Sequence, residues 1–153
     1  MSKEYPWGKG TVTWVHDTAT NDSDKSYVTP VGKIRDVKMI RAYITNTATV
    51  GNRNLSVSIS DGTSVIFVPI TGANSAASAT YGIVLGAGFD YLSAATPVNV
   101  IKDDGVTVSS GVVSGLPRML LPAGYIIRVY DKNAVDAAAD DLVVTLHYVE
   151  YDA

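Results

Sequence analysis

The sequence predicts an all-β fold, an antiparallel sandwich or barrel of about eight or nine short strands. Three observations carry that prediction. Apolar and polar residues alternate with a period of two in several runs, most cleanly in Leu55-Ser-Val-Ser-Ile-Ser60. Turn-forming pairs such as Asp61-Gly62 and Asp104-Gly105, and the run Leu121-Pro-Ala-Gly124, punctuate those segments. The closing third sets two extended segments, Ile126 to Tyr130 and Leu142 to Tyr151, on either side of a small acidic loop. Helical periodicity is scarce, and only Ala134 to Asp141 has the composition for a turn or two of helix.

Taken in order, residues 1–10 read as an amino-terminal arm and 11–153 as one β-domain. Thr11 to His16 is the first strand, and Asp17 to Ser26, rich in Asp, Asn, Ser and Thr, reads as a polar loop. In Asp36 to Thr45 the apolar phase slips from Val37 and Met39 to Ile40, Ala42 and Ile44, which predicts a bulge near Met39. Leu55, Val57 and Ile59 form a half-buried strand, and Asp61-Gly62 turns it into Val65 to Ile70. Pro69 has no N–H to give to a ladder, so this return strand should end there or lie at an edge. Thr71 to Thr80 has too little side-chain volume to form core and reads as a long connection. Tyr81 to Leu85, Val98 to Lys102 and Val106 to Ser109 are short strands, with Gly111 to Gly115 a soft link after them. Leu116 and Leu121 both precede proline and are therefore extended. Pro122-Ala123 suits the centre of a type I turn, with Gly124 free to take positive φ.

Composition bounds the function. With 153 residues, 46% of them hydrophobic, the chain is long enough to bury a substantial core. Cysteine is absent, so neither disulfides nor thiolate sites hold the fold. No apolar run approaches the about 20 residues of a membrane helix, and the first residues lack the apolar core of a signal peptide, so synthesis in a cytoplasm and no membrane partner are expected. Charge is unevenly placed: residues 1–53 hold 8 Lys/Arg and 5 Asp/Glu (+3), residues 54–153 hold 4 and 10 (−6), giving −3 in all. That asymmetry fits two solvated rims, or complementary faces that meet between subunits. Lys33, Arg35, Lys38 and Arg41 are interrupted by Asp36 and lie on an alternating strand without stacking aromatics, so no nucleic-acid partner is expected.

No catalytic set assembles, and the chain is not expected to be an enzyme. His16 and His147 both fall in strands and read as packed or cross-strand side chains. Ser114 in Gly111-Val-Val-Ser-Gly115 is out of register for a nucleophile elbow. Gly86-Ala-Gly88 lacks the third glycine of a dinucleotide loop, so no cofactor is expected. Asp22 with Asp24, and Asp136 with Asp140 and Asp141, place hard oxygen ligands close together as calcium requires. Neither run has the glycine and terminal glutamate of an EF-hand loop, so no metal site is assigned, and the second run reads as a solvated connection.

The run Leu121-Pro-Ala-Gly-Tyr-Ile-Ile-Arg-Val-Tyr-Asp131, followed by Ala134-Val-Asp-Ala-Ala-Ala-Asp-Asp141 and the apolar last strand, resembles the carboxy-terminal half of small virion proteins of tailed bacteriophages. The segment from Ile44 to Asp61 is similar to their middle, whereas residues 1–30 have no counterpart. The resemblance implies a jelly-roll-like β-sandwich that decorates or cements a capsid, usually as a symmetric homo-oligomer, with a trimer preferred and the major capsid protein or another virion protein as partner. In the arm, Tyr5, Trp7 and Lys9 are the candidate partner-binding residues, because two large aromatics precede the first strand; the alternative is that Tyr5 and Trp7 cap the domain's own core. A carbohydrate-binding or receptor-binding module of a virion fibre is the alternative.

Overall fold

In a computed structural model, residues 8–87, 100–101, 107–108 and 111–153 are described. Among them are twelve strands: β1 Thr11–Asp17, β2 Asp24–Val28, β3 Lys33–Thr45, β4 Arg53–Ser60, β5 Val65–Ser75, β6 Thr80–Ala87, β7 Val100–Ile101, β8 Thr107–Val108, β9 Gly111–Leu116, β10 Leu120–Leu121, β11 Ile126–Asp131 and β12 Asp141–Asp152. One sheet has the order β1-β12-β3-β6-β9, with β10 also on β3, and a second has the order β2-β11-β4-β5. β7 and β8 pair only with each other.

The pairing settles the kind of sandwich. β4 pairs β5, β3 pairs β6, β2 pairs β11 and β1 pairs β12, all antiparallel. This is one long hairpin whose successive rungs fall alternately in the two sheets, the wrapping of a jelly roll. The segment carrying β7 to β10 is an insertion between the rungs. From it β9 adds a parallel strand to β6, and β10 takes over the edge of β3 where β6 stops, with Leu120 opposite Asp36.

The core lies between the sheets. Ile40, Ala42 and Ile44 of β3, Ile83 and Leu85 of β6, and Leu142, Val144 and Leu146 of β12 face Leu55, Val57 and Ile59 of β4 and Ile127 and Val129 of β11, all buried. Each fully buried aliphatic side chain contributes about 1.5–3 kcal/mol. The β3 phase slip is a bulge: Met39 lies opposite His147 and Val37 opposite Tyr148, which leaves Lys38 unmatched and returns Val37 to the core.

Several sequence expectations require correction. β5 continues through Pro69 to Ser75 as the edge of its sheet, and Asn74 and Ser75 pair Asn54 and Arg53. A backbone ladder needs no side-chain volume, so the small residues after Pro69 extend a strand instead of forming a loop. Gly111 to Leu116 is likewise a strand, held by β6. The polar loop after β1 ends by Asp24, where β2 begins. β4 is buried on both faces, because Ser56 and Ser58 lie opposite Tyr130 and Arg128 of β11, much larger side chains on the outer surface. Ala134 to Asp141 forms turns, with a single helical hydrogen bond from Asp140 N–H to Asp136 O (2.9 Å). The proposed turn at Asp104-Gly105 lies outside the described residues.

The turn before β11 sits one residue later than its sequence suggests. Tyr125 N–H donates to Pro122 O (3.2 Å), and Gly124, at the third position, has φ +86°, which makes a type II turn. A Cβ on Gly124 would meet nothing within 4 Å, so only backbone strain opposes a side chain. Gly124→Ala should therefore destabilise the protein by about 1 kcal/mol. Urea unfolding checks this, and an unchanged midpoint would contradict the assigned turn.

Candidate functional site

Among the described residues, side-chain chemistry concentrates at a buried polar node, at a second polar clamp and on two apolar edge strands. The node is built on Arg53, which opens β4, and Asp140, which precedes β12; both side chains are fully buried. Arg53 donates from Nε to Asp140 Oδ2 (2.9 Å) and from Nη2 to Asp140 Oδ1 (3.1 Å), a bidentate pair. Its remaining N–H groups reach Thr47 Oγ1 (3.0 Å) and the carbonyls of Thr49 (2.6 Å) and Gly51 (2.9 Å). All five donors are thus satisfied, which is what makes a buried guanidinium tolerable. The hydrogen bond with Asp140 holds the guanidinium above its ordinary pKa.

The loops around this pair are tied to it. Thr47 N–H donates to Asp140 Oδ1 (2.8 Å), and the hydroxyls of Thr47 and Thr49 both donate to Asp136 Oδ2 (2.6 and 2.7 Å). Those two hydroxyls hold the Asp136 carboxyl below the usual Asp value of 3.8. Gly51 has φ +145°, and a Cβ there would press on Val135. Asp131 Oδ1 accepts from the N–H groups of Asn54 (2.6 Å) and Asn133 (3.1 Å), closing the same end of the sandwich. The acidic run read as a solvated connection is therefore a structural anchor. Sequence reasoning missed Arg53 as its counter-ion, since the partners are 87 positions apart.

A second polar clamp joins the sheets at their edges. Lys25 of β2 lies opposite core residue Val129 and sends its ammonium to Asp17 Oδ1 (2.6 Å) and Ala19 O (3.0 Å). Burial by itself raises the Asp17 carboxyl, but donation from Lys25, Ala19 N–H and the Tyr27 hydroxyl outweighs it and holds the group below its usual value. Asp24 bonds Arg128 Nε (2.8 Å), and Asp22 Oδ1 accepts from Asp24 N–H (2.9 Å). The candidate calcium ligands are thus engaged by protein groups. Three ion pairs join the basic and acidic parts of the chain: Lys33 pairs Asp152, Arg35 pairs Glu150 and Arg53 pairs Asp140.

Exposed apolar side chains lie on β1 and β5, edge strands of different sheets. Val12 and Trp14 on β1 are 62% and 58% exposed, and Val65, Ile66 and Val68 on β5 are also exposed. Trp14 lies opposite His147, their rings parallel with centroids 4.0 Å apart, and His16 Nδ1 is 3.0 Å from Thr145 Oγ1. Both histidines are thus cross-strand side chains. Ser114 is buried on β9. Lys9 is exposed just before β1, while Tyr5 and Trp7 lie outside the described residues, as does Gly88.

No protein-family model matches the chain, and no curated protein matches it. Among solved structures it is similar to a chain of the Nora virus structure, at 12% identity over 94% of this chain and 57% of that one, with a TM-score of 0.32. It is also similar to a chain of Desmodium yellow mottle tymovirus (9% identity, 95% of this chain and 89% of that one, TM-score 0.27). A third similarity is to infectious bursal disease virus Gx strain (13%, 91% and 38%, TM-score 0.26). Scores this low assign nothing to the chain, which spans little more than half of the Nora virus chain.

Two outcomes follow from the node. Arg53→Met leaves the Asp140 carboxylate without its counter-ion in a dry site and should cost about 3–5 kcal/mol, whereas the paired replacement Arg53→Met with Asp140→Leu should cost far less. A denaturant double-mutant cycle measures both, and additive losses would contradict coupling. Asp17 and Asp136 have depressed carboxyls in the folded state, so their stabilisation is fully present above the usual Asp value of 3.8 and is lost as pH falls from there through the folded values. Urea midpoints measured down an acid series should be flat and then drop; a midpoint that rises on acidification would refute the assignment.

Proposed function

We propose that this chain is a structural protein of a virion, a decoration (cement) protein of a bacteriophage head that acts through surface contacts and not through catalysis. The observation that carries this reading is a jelly roll stitched internally by buried ion pairs that leaves apolar side chains exposed on two separate edge strands, Val12 and Trp14 on β1 and Val65, Ile66 and Val68 on β5. Exposed apolar side chains grouped on an edge strand form a contact surface. The resemblance of Leu121 to Asp141 to small tailed-phage virion proteins supports the same class. On the shell the expected form is a homotrimer, with the arm 1–10 and its Tyr5, Trp7 and Lys9 making the attachment to the major capsid protein or a neighbouring copy. Fold class itself does not select function, so the assignment stands on the surface and on that resemblance.

A second reading, a carbohydrate-binding or receptor-binding module of a fibre, draws on the exposed ring of Trp14, since sugar rings stack on open aromatic faces. Co-sedimentation with capsid shells separates the two. Binding to shells without a glycan-array signal supports decoration, and sugar binding without shell binding overturns it. Deleting residues 1–9 should leave a folded domain that no longer sediments with shells; unfolding on deletion would show that the arm belongs to the core.

A further inference from the structure

We propose that β1 is a self-association edge, at which two copies of this chain pair antiparallel about a two-fold axis near Trp14. The four edge strands β1, β9, β2 and β5 of the two large sheets are not equally guarded among the described residues. β2 is five residues long and charged, with Asp24 and Lys25 engaged by Arg128 and Asp17. β5 carries Pro69 and three register irregularities against β4. β9 is short and has glycine at 111 and 115. These are the devices that keep edges from pairing. β1 has none of them: from Thr11 to His16 it contains no proline and no charged residue, and its ladder with β12 runs seven residues without a shift.

The side chains of β1 fit a second copy. One face of the Trp14 ring is covered by His147 at an interplanar angle of 2°, yet the residue remains 58% exposed, so the ring is held upright with its other face toward the edge. An antiparallel copy with Trp14 opposite Trp14 extends that stack to four rings and sets Val12 opposite His16. Such a pairing is self-complementary, as a two-fold contact must be. Charge selects the same direction. Lys9 precedes β1, and Asp17 closes it with Asp22 and Asp141 nearby against one buried Lys25. Antiparallel pairing brings Lys9 of one copy to the acidic end of the other, whereas parallel pairing sets like ends together. The contact does not depend on the virion reading, and if the chain forms rings it joins them two by two.

Light scattering on the full chain tests the proposal. The expected mass is an even multiple of the chain mass, falling by half or more in Trp14→Lys and in Val12→Lys, with thermal unfolding curves showing that both variants are folded. Because the chain has no cysteine, Trp14→Cys should cross-link to a dimer with a short bis-maleimide, and Val31→Cys, on an exposed turn, should not. A monomer, a trimer unaffected by the lysine variants, or equal cross-linking at the two positions would overturn it. Shell binding retained by a monomeric Trp14→Lys would leave the decoration reading standing on its own.

Discussion

The buried pair between Arg53 and Asp140 is the constraint on which the rest of the structure turns. Arg53 begins a strand of one sheet and Asp140 precedes a strand of the other, so the pair fixes how the two layers meet at one end. Burying two charges is costly, and their attraction offsets the cost only when every remaining donor and acceptor is engaged. Here that requirement shapes two loops. The Thr47–Gly51 turn must offer two carbonyls and a hydroxyl to the guanidinium, and the turn from Asp136 to Asp140 must bring its carboxylates in from solvent. The loop geometry at this end follows from satisfying one arginine.

The same long-range pairing matches part of the charge of the two halves of the chain. Jelly-roll wrapping pairs the beginning of the chain with its end. β12 runs antiparallel to both β1 and β3, so the acidic residues near the carboxyl terminus fall beside the basic residues of the first third. Lys33 with Asp152 and Arg35 with Glu150 are cross-strand neighbours in that register. These pairs are more exposed than the node and individually contribute about 0–1 kcal/mol. Their main effect is on register, because a one-residue slip of β12 would set Arg35 off Glu150 and turn the Leu142, Val144 and Leu146 face outward.

What could be read from the sequence was what depends on local period. The strands around Thr11, Ile40, Leu55, Ile126 and Leu142, the bulge at Met39, the edge position of Pro69 and the Asp61-Gly62 hairpin all leave a signature in neighbouring residues. Elements held by backbone pairing with distant strands left none. Residues 71–75 and 111–115 are small and flexible in composition, and became strands because β4 and β6 were there to accept them. The node was invisible for the same reason: nothing near Arg53 marked it as a counter-ion, and Asp140 read as part of a solvated connection. Lys25, in a polar run, gave no sign that its stem would lie between two sheets with its ammonium on Asp17. Strand order, which separates a jelly roll from other sandwiches, is a property of long-range pairing and has no period to detect.

The nested topology also determines which edge is left open. The β4–β5 rung is local, whereas the β1–β12 rung joins Thr11 to Glu150 and closes the longest loop in the molecule. Loop-closure entropy grows only slowly with length, so the long outer rung costs little more to close than the inner ones. β12 is placed by its ladder of twelve paired residues with β3. Among the described residues β1 is paired on one side, unlike β12 and β3, which are paired on both sides. An edge strand can be guarded by charge, proline or a bulge, as β2 and β5 are. β1 instead presents Val12 and a tryptophan held upright by a histidine. A sequence that is locally consistent elsewhere and leaves one edge apolar and regular is built to have that edge covered.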